Sequence, residues 1–314
     1  MADIVAIGEL LVEMVATAVD QDLARPGAFE GPFPSGAPAI FADQAALQGI
    51  DVAMIGCAGA DPFGDCVVDR LRRDGVDTRW VRRVSDVATG VAFVAYRTDG
   101  TRGFLFHMAN AAAGRLRPED VDEAAFAGCR LLHVMGSSLF SPAMGEAVRR
   151  AARLAREAGA LVAYDPNVRP ELLALPGTAA LLDELLGTAD ILMPSEADLA
   201  HFFPGLAPDA AITALLARGA RCVFLKRGAA GSTYCDRESR IEVPAFAAAE
   251  VDPTGAGDCA GATFAAGLLR GLPGPEAALR ANAAGALAVS RRGPMEGNSP
   301  PDSLDDLIAR QNRR

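Results

Sequence analysis

The sequence predicts an α/β fold: a central, mostly parallel sheet with helices on both faces and a small antiparallel β lid above it. Three observations predict it. Short apolar runs such as "DIVAIG", "CRLLHVMG", "ALVAYDP" and "RCVFLKRG" recur along the chain, with amphipathic stretches such as "AMGEAVRRAARLAREAG" between them. Continuous apolar strands alternating with helices mark a parallel sheet covered on both sides. The stretch "TGVAFVAYRTDGTRGFLFHMA" breaks that rhythm, because two alternating runs flank Asp99-Gly100 as in a hairpin. Hydrophobic residues make up 50% of the 314, enough to bury a large core.

Taken in order, the start "MADIVAIGELLVEMV" is apolar but has no basic leader and carries Asp3, Glu9 and Glu13, so it reads as a first buried strand and not as a signal peptide. No segment reaches the roughly 18 uninterrupted apolar residues of a membrane span. "ARPGAFEGPFPSGAPA" reads as strand and loop, and together with the hairpin it forms a lid from about residues 10–38 and 88–110. A surface hairpin without a role is the alternative. The apolar runs end in Gly, Pro, Asp or Ser, and ligands in such folds gather at the carboxyl ends of the strands. "ATFAAGLLRGL" and "EAALRANAAGALAVS" read as closely packed Ala-rich helices. Neither a repeat nor a linker divides the chain, so one domain over residues 1–314 is expected.

With 40 acidic and 30 basic residues the net charge is −10, which disfavours a nucleic acid or an anionic membrane as partner. Cys57, Cys66, Cys129, Cys222, Cys235 and Cys259 show no C-x-x-C and no regular spacing. Neither a disulfide framework nor a zinc site is indicated, and a reducing cytoplasm is expected.

"DPTGAGDCAG" at residues 252–261 matches the glycine spacing of a dinucleotide fold, but its context excludes that reading. A strand ending in an acidic residue should follow about 20 residues later, and the chain there reads as helix. No lysine follows the glycines, so a P-loop fails as well. What remains is a run of small residues at a helix start, whose free N–H groups and dipole attract an anion, with Asp258 at its mouth. A carboxylate there opposes a resting anion, yet it is placed to take a proton from a hydroxyl that attacks phosphorus. By itself the stretch is also compatible with a glycine-rich helix start in which Asp258 caps the N-terminus.

The stretch has company. "DPTGAGDCAGATFAAGLL" with "ANAAGALAVSRRG" resembles the C-terminal signature of the ribokinase-like (PfkB) carbohydrate kinases. Gly8-Glu9, the Gly36-Ala37-Pro38 loop, "GADPFGD", "DPNVRP", "LMPSEADL" and "KRGAAG" follow in the family's order across the chain. The resemblance implies a ribokinase-like fold and an ATP-dependent kinase. It makes Asp258 the catalytic base and the amides of Gly255, Ala256 and Gly257 the anion hole. It implies nucleotide contacts from Ser195, Lys226, Gly228, Gly231 and Asn282. It implies Mg2+ organised through water around Ser195-Glu196-Ala197-Asp198, which replaces the usual N-x-x-E with shorter or altered outer side chains, with Glu196 and Asp198 as the acidic members. In some members the positions of Asp252 and Thr254, with carbonyls near Ser290, hold a monovalent cation such as K+.

On the acceptor side the resemblance implies substrate contacts from Glu13, Gly36, Ala37, Asn167 and Arg169. Phe104, Phe106, His107 and Asn110 are expected to come from the lid. Ile40 stands where the family usually has an asparagine, and Glu13 where many relatives have an aspartate. "GPFPSGAPAIF" and "LHVMGSSL" are most similar to a branch of ketohexose kinases, which implies tagatose or fructose as acceptor. Alternatives are 2-keto-3-deoxygluconate, ribose or a nucleoside, and a sugar-binding regulator without catalysis. A homodimer is expected from the same resemblance.

Overall fold

The structure of the chain, a computed structural model, describes residues 1–311, so the end of the expected 1–314 domain lies outside the described residues. Its strands in chain order are β1 (Ile4–Ile7), β2 (Leu11–Ala16), β3 (Phe29–Ser35), β4 (Val52–Gly59), β5 (Val81–Val84), β6 (Gly90–Tyr96), β7 (Arg102–His107), β8 (Leu131–Met135), β9 (Leu161–Asp165), β10 (Ile191–Leu192), β11 (Cys222–Lys226), β12 (Ser232–Asp236) and β13 (Arg240–Val243). Nine of them form one sheet in the order β13-β12-β11-β10-β9-β8-β1-β4-β5. From β11 through β5 every pairing is parallel, and β12 and β13 close one edge antiparallel.

β1 and β8 are buried at every position, which is the continuous apolar pattern of strands covered on both faces. One face packs the helix Pro142–Glu157. That helix begins at Ser141, whose hydroxyl accepts the Met144 N–H at 3.2 Å, and it buries Met144, Ala147, Val148, Ala151 and Ala155 at helical spacing. Those residues share a core with Val134 and Val162. The other face buries the helices Ala37–Leu47, Ala256–Leu269 and Gly274–Val289, with Phe224 stacked on Phe264 at 4.5 Å. The Ala-rich stretches form the last two of these, because small side chains let the helices approach closely.

The remaining strands form the lid, in the order β3-β2-β6-β7. Its outer pairs are antiparallel, as the hairpin reading expects. β2 and β6 in the middle run parallel, since the chain returns to the large sheet through β4 and β5 between them. Among the described residues no helix is long and apolar enough to cross a membrane.

Candidate active site

The carboxyl ends of β1, β8, β9 and β11 and the underside of the lid enclose a cavity of about 950 Å³. The parallel strands put their polar ends on this side, so the cavity floor is set by topology. One wall is the loop that opens the helix Ala256–Leu269. Gly255 precedes the helix at φ 80°, and a Cβ there would run into the Pro294 carbonyl and the Ile40 side chain. The first-turn N–H groups have no acceptor within their own helix, and Gly255, Ala256, Gly257 and Asp258 all line the cavity.

Asp258 lies in that first turn and is only 8% exposed. Burial pushes its carboxyl up to about 8; the Asp165 charge adds to this, while Lys226 and Arg169 oppose it. Lys226 ends β11 and pairs with Asp165, which ends β9. Its Nζ would be the nearest neighbour of a Cβ on Gly257, at 3.5 Å, so the ammonium stands beside the helix start. The sequence positions of Asp165 and Lys226 gave no sign of this pairing.

Toward one end, Gly228, Gly231, Asn282 and Phe246 line an arm of the cavity. Gly231 sits at φ 88° with a Cβ position blocked by the backbone of Val243 and Ala245, so this turn admits no side chain. Asn282 Nδ2 donates to the carbonyls of Val243 and Pro244 at 3.0 and 3.1 Å, tying the late helix to the end of β13.

Toward the other end lie Glu13, Gly36, Ala37, Phe106, Asn167 and Arg169, with Phe104 stacked parallel to Phe106 at 5.2 Å. Glu13 Oε1 accepts the Ser35 hydroxyl at 2.6 Å, and Oε2 is buried without a partner. Burial pushes this carboxyl up to about 7. Glu9, buried against the hydroxyls of Ser137 and Ser138, is a second acid on this wall and is also held above the usual range by burial. Arg102 of β7 lines the cavity too. Arg102 and Arg169 have no carboxylate partner among the described residues.

Several residues singled out in the sequence are not brought to this cavity. His107 alternates away from Phe104 and Phe106, is exposed, and meets Phe93 edge-on on the outer face of the lid. Asn110 is exposed in the turn that follows. Glu196 points to solvent and pairs with Arg227 at 3.1 Å. Asp198 lines the cavity, but its Oδ2 accepts from the Ser195 N–H at 2.7 Å and hydroxyl at 2.6 Å, and its Oδ1 from the Val168 N–H at 2.8 Å. Ser195 and Asp198 thus form a capping box for the helix Glu196–Phe202. Among the described residues no group of three or more His, Cys, Asp or Glu is arranged to hold a metal. With both Asp198 oxygens accepting from the chain, this segment offers Mg2+ no free carboxylate oxygen pair for direct coordination. Asp252 and Ser290 lie behind the loop, outside the cavity lining, while Thr254 faces into it.

Comparison with known proteins sets this geometry among relatives. The family described as pfkB family carbohydrate kinase matches residues 1–301. Fructokinase-1 of Oryza sativa subsp. japonica is 32% identical over 306 residues, covering 92% of this chain and 92% of that protein. A protein from E. coli provisionally named Ribokinase II, solved in complex with ATP and Mg2+, is 42% identical with a TM-score of 0.95 and covers 99% of this chain and 100% of its own. A fructokinase from Xylella fastidiosa with bound ATP is 28% identical with a TM-score of 0.86, covering 99% and 100%.

Proposed function

Since the chain belongs to the pfkB family of carbohydrate kinases and is an ATP-dependent sugar kinase, we propose that its acceptor is a ketohexose such as fructose or tagatose, phosphorylated at a primary hydroxyl. The observation that carries the mechanism is the position of Asp258: buried, in the first turn of a helix, at the junction of the two arms of the cavity. ATP occupies the arm of Gly228, Gly231 and Asn282 with its γ-phosphoryl group at the helix start. The sugar occupies the arm of Glu13, Asn167 and Arg169 under Phe104 and Phe106.

Asp258 takes the proton of the acceptor hydroxyl, and the oxygen forms a bond to the γ-phosphorus as the bond to the bridging oxygen breaks and ADP leaves. The amides of Gly255, Ala256 and Gly257 and the Lys226 ammonium face the charge carried on the transferring group. Mg2+ would accompany the nucleotide phosphates in this reading and screen their charge, with Glu196 and Asp198 as the acids expected to organise it through water. The lid excludes water from the acceptor arm, which limits hydrolysis of ATP. The same reading places the enzyme in a reducing cytoplasm, with all six cysteines free. It also pairs copies through the outer lid face, where Leu105 is 43% exposed beside β6.

ADP release across fructose, tagatose, ribose, a nucleoside and 2-keto-3-deoxygluconate tests the acceptor. The highest kcat/KM is expected for a ketohexose. One observation favours a second acceptor, 2-keto-3-deoxygluconate: Arg102 and Arg169 line the cavity without a carboxylate partner among the described residues, as an acidic substrate requires. Preference for that acid over both ketohexoses would replace the first reading.

A further inference from the structure

The loop that opens the phosphate-transfer helix is held by the lid as well as by the sheet. Asp252 is 1% exposed, and both of its carboxylate oxygens accept from donors of the chain. Its Oδ1 accepts the Thr254 N–H at 2.9 Å and the Tyr96 hydroxyl, and its Oδ2 accepts the Gly293 N–H at 3.0 Å. Two residues on, Thr254 Oγ1 accepts from Arg102 Nη1 at 3.1 Å. Ser290 Oγ turns back to donate to Leu287 O at 2.7 Å, ending its own helix. Of the positions that hold a monovalent cation in some relatives, the Asp252 and Thr254 side chains thus already accept from donors of the chain.

Two of those donors come from one place in the lid. Tyr96 and Arg102 are cross-strand partners at the turn end of the β6–β7 hairpin, so a single rung of the lid reaches both Asp252 and Thr254. Beyond the loop, Arg292 Nη2 donates to Ala16 O of β2 at 2.9 Å, a second tie between lid and loop. An alkali cation needs several oxygen lone pairs converging on one point. Here a guanidinium, which cannot lose its charge, stands at Thr254 and opposes a second positive charge.

We propose that Tyr96 and Arg102 act as positioning residues that take the place of a monovalent cation, so that the 252–257 loop is ordered by the seated lid and turnover needs no K+. The Asp252 and Thr254 side chains assigned to the cation in the sequence do not fit it, because donors of the chain already hold them. Phosphate chemistry and acceptor binding are joined by the same rung: a lid lifted for exchange of sugar takes the two donors away from the loop, and a lid seated on sugar returns them.

The inference rests on the sugar-kinase reading, and its test separates the two. Initial rates of the full chain with a ketohexose are compared in potassium chloride and in N-methyl-D-glucamine chloride at equal ionic strength. The wild-type ratio is expected to stay under about 2. Tyr96→Phe and Arg102→Gln are expected to lose about 10-fold in kcat without potassium and to recover at least about 5-fold on its addition, while Arg102→Lys, which keeps the charge, stays within about 3-fold of wild type. A wild-type enzyme stimulated more than about 5-fold by potassium, or variants with wild-type kcat in its absence, overturns the proposal. A wild type that turns over no acceptor overturns the acceptor reading instead. The thermal midpoint then judges the cation by itself: the two chlorides are expected to give midpoints within about 1 °C, and a potassium-specific rise of several degrees, the mark of a bound ion, overturns the proposal.

Discussion

The two arms of the cavity are built in different ways. The phosphate arm is largely backbone: the turn at Gly228 and Gly231, the Gly255–Gly257 loop, and the start of the helix Ala256–Leu269. The acceptor arm is largely side chains, contributed by β2, the lid hairpin and the loop after β9. Backbone that must come close to a ligand restricts sequence to small residues in short consecutive runs, so it leaves a motif. Side chains from separate elements need only converge in space. The kind of reaction is therefore written locally in this chain, and the choice of alcohol is not.

The change expected to be largest falls where the arms meet. Asp258→Asn keeps the shape of the side chain and removes the proposed base, and is expected to lower kcat by about 10²–10⁴-fold with ATP binding retained. Near-normal turnover would move the base to another residue. Because the Asp258 carboxyl is pushed up to about 8, its basic form accumulates as pH rises. In the wild type, kcat/KM is expected to rise about tenfold per unit from pH 6 toward 8. The stability consequence has the opposite sign. Between about pH 4, where an unfolded Asp ionises, and pH 8 the folded chain holds a proton that the unfolded chain releases. Stability from this group is thus full below that window and is lost as pH rises through it. Asp258→Asn is therefore expected to raise the thermal midpoint, with the gain growing from pH 5 to pH 8. An inactive variant that melts lower than wild type at pH 8 would contradict the buried-acid account.

The contrast between the arms also explains what was legible. The ordered strands, the hairpin at Asp99-Gly100 and the helix after Gly255 follow from periodicity and glycine placement, and the structure has them where the sequence puts them. Asp258 was legible because its neighbours carry its chemistry. The Lys226–Asp165 pair was not, since 61 residues separate the partners and only the parallel pairing of β9, β10 and β11 aligns their ends. Ser195 and Asp198 were read as metal-organising, and the structure turns them on each other as a helix cap. The same S-x-x-D spacing serves a cap, which is its more local meaning.

An intermediate effect is expected within the acceptor arm. Glu13 has one oxygen on Ser35 and the other buried without a partner, a gap that a sugar hydroxyl would fill under the proposed reading. Its carboxyl is pushed up to about 7, so wild-type KM for the sugar is expected to fall as pH rises through 7 and the group becomes a full acceptor. Glu13→Gln is expected to raise that KM about 10-fold, to leave kcat within about 3-fold, and to remove its pH dependence near 7. Equal losses in kcat and kcat/KM would instead place Glu13 in the transfer step.

The smallest effect is expected at His107, and it sharpens how a lid should be read. Composition alone groups His107 with Phe104 and Phe106 as an aromatic cluster. A strand presents alternate residues to opposite faces, so a cavity-facing Phe104 and Phe106 oblige His107 to face away. The structure puts it edge-on to Phe93 at 6.5 Å on the outer face. His107→Ala is therefore expected to change KM and kcat by less than about 2-fold, whereas Phe106→Ala, one residue earlier, is expected to raise sugar KM by about 10-fold through lost ring contact. If the two variants behaved alike, the β7 register would be off by one residue, and Arg102, on the same face as Phe104 and Phe106, would lose its reach to Thr254 as well.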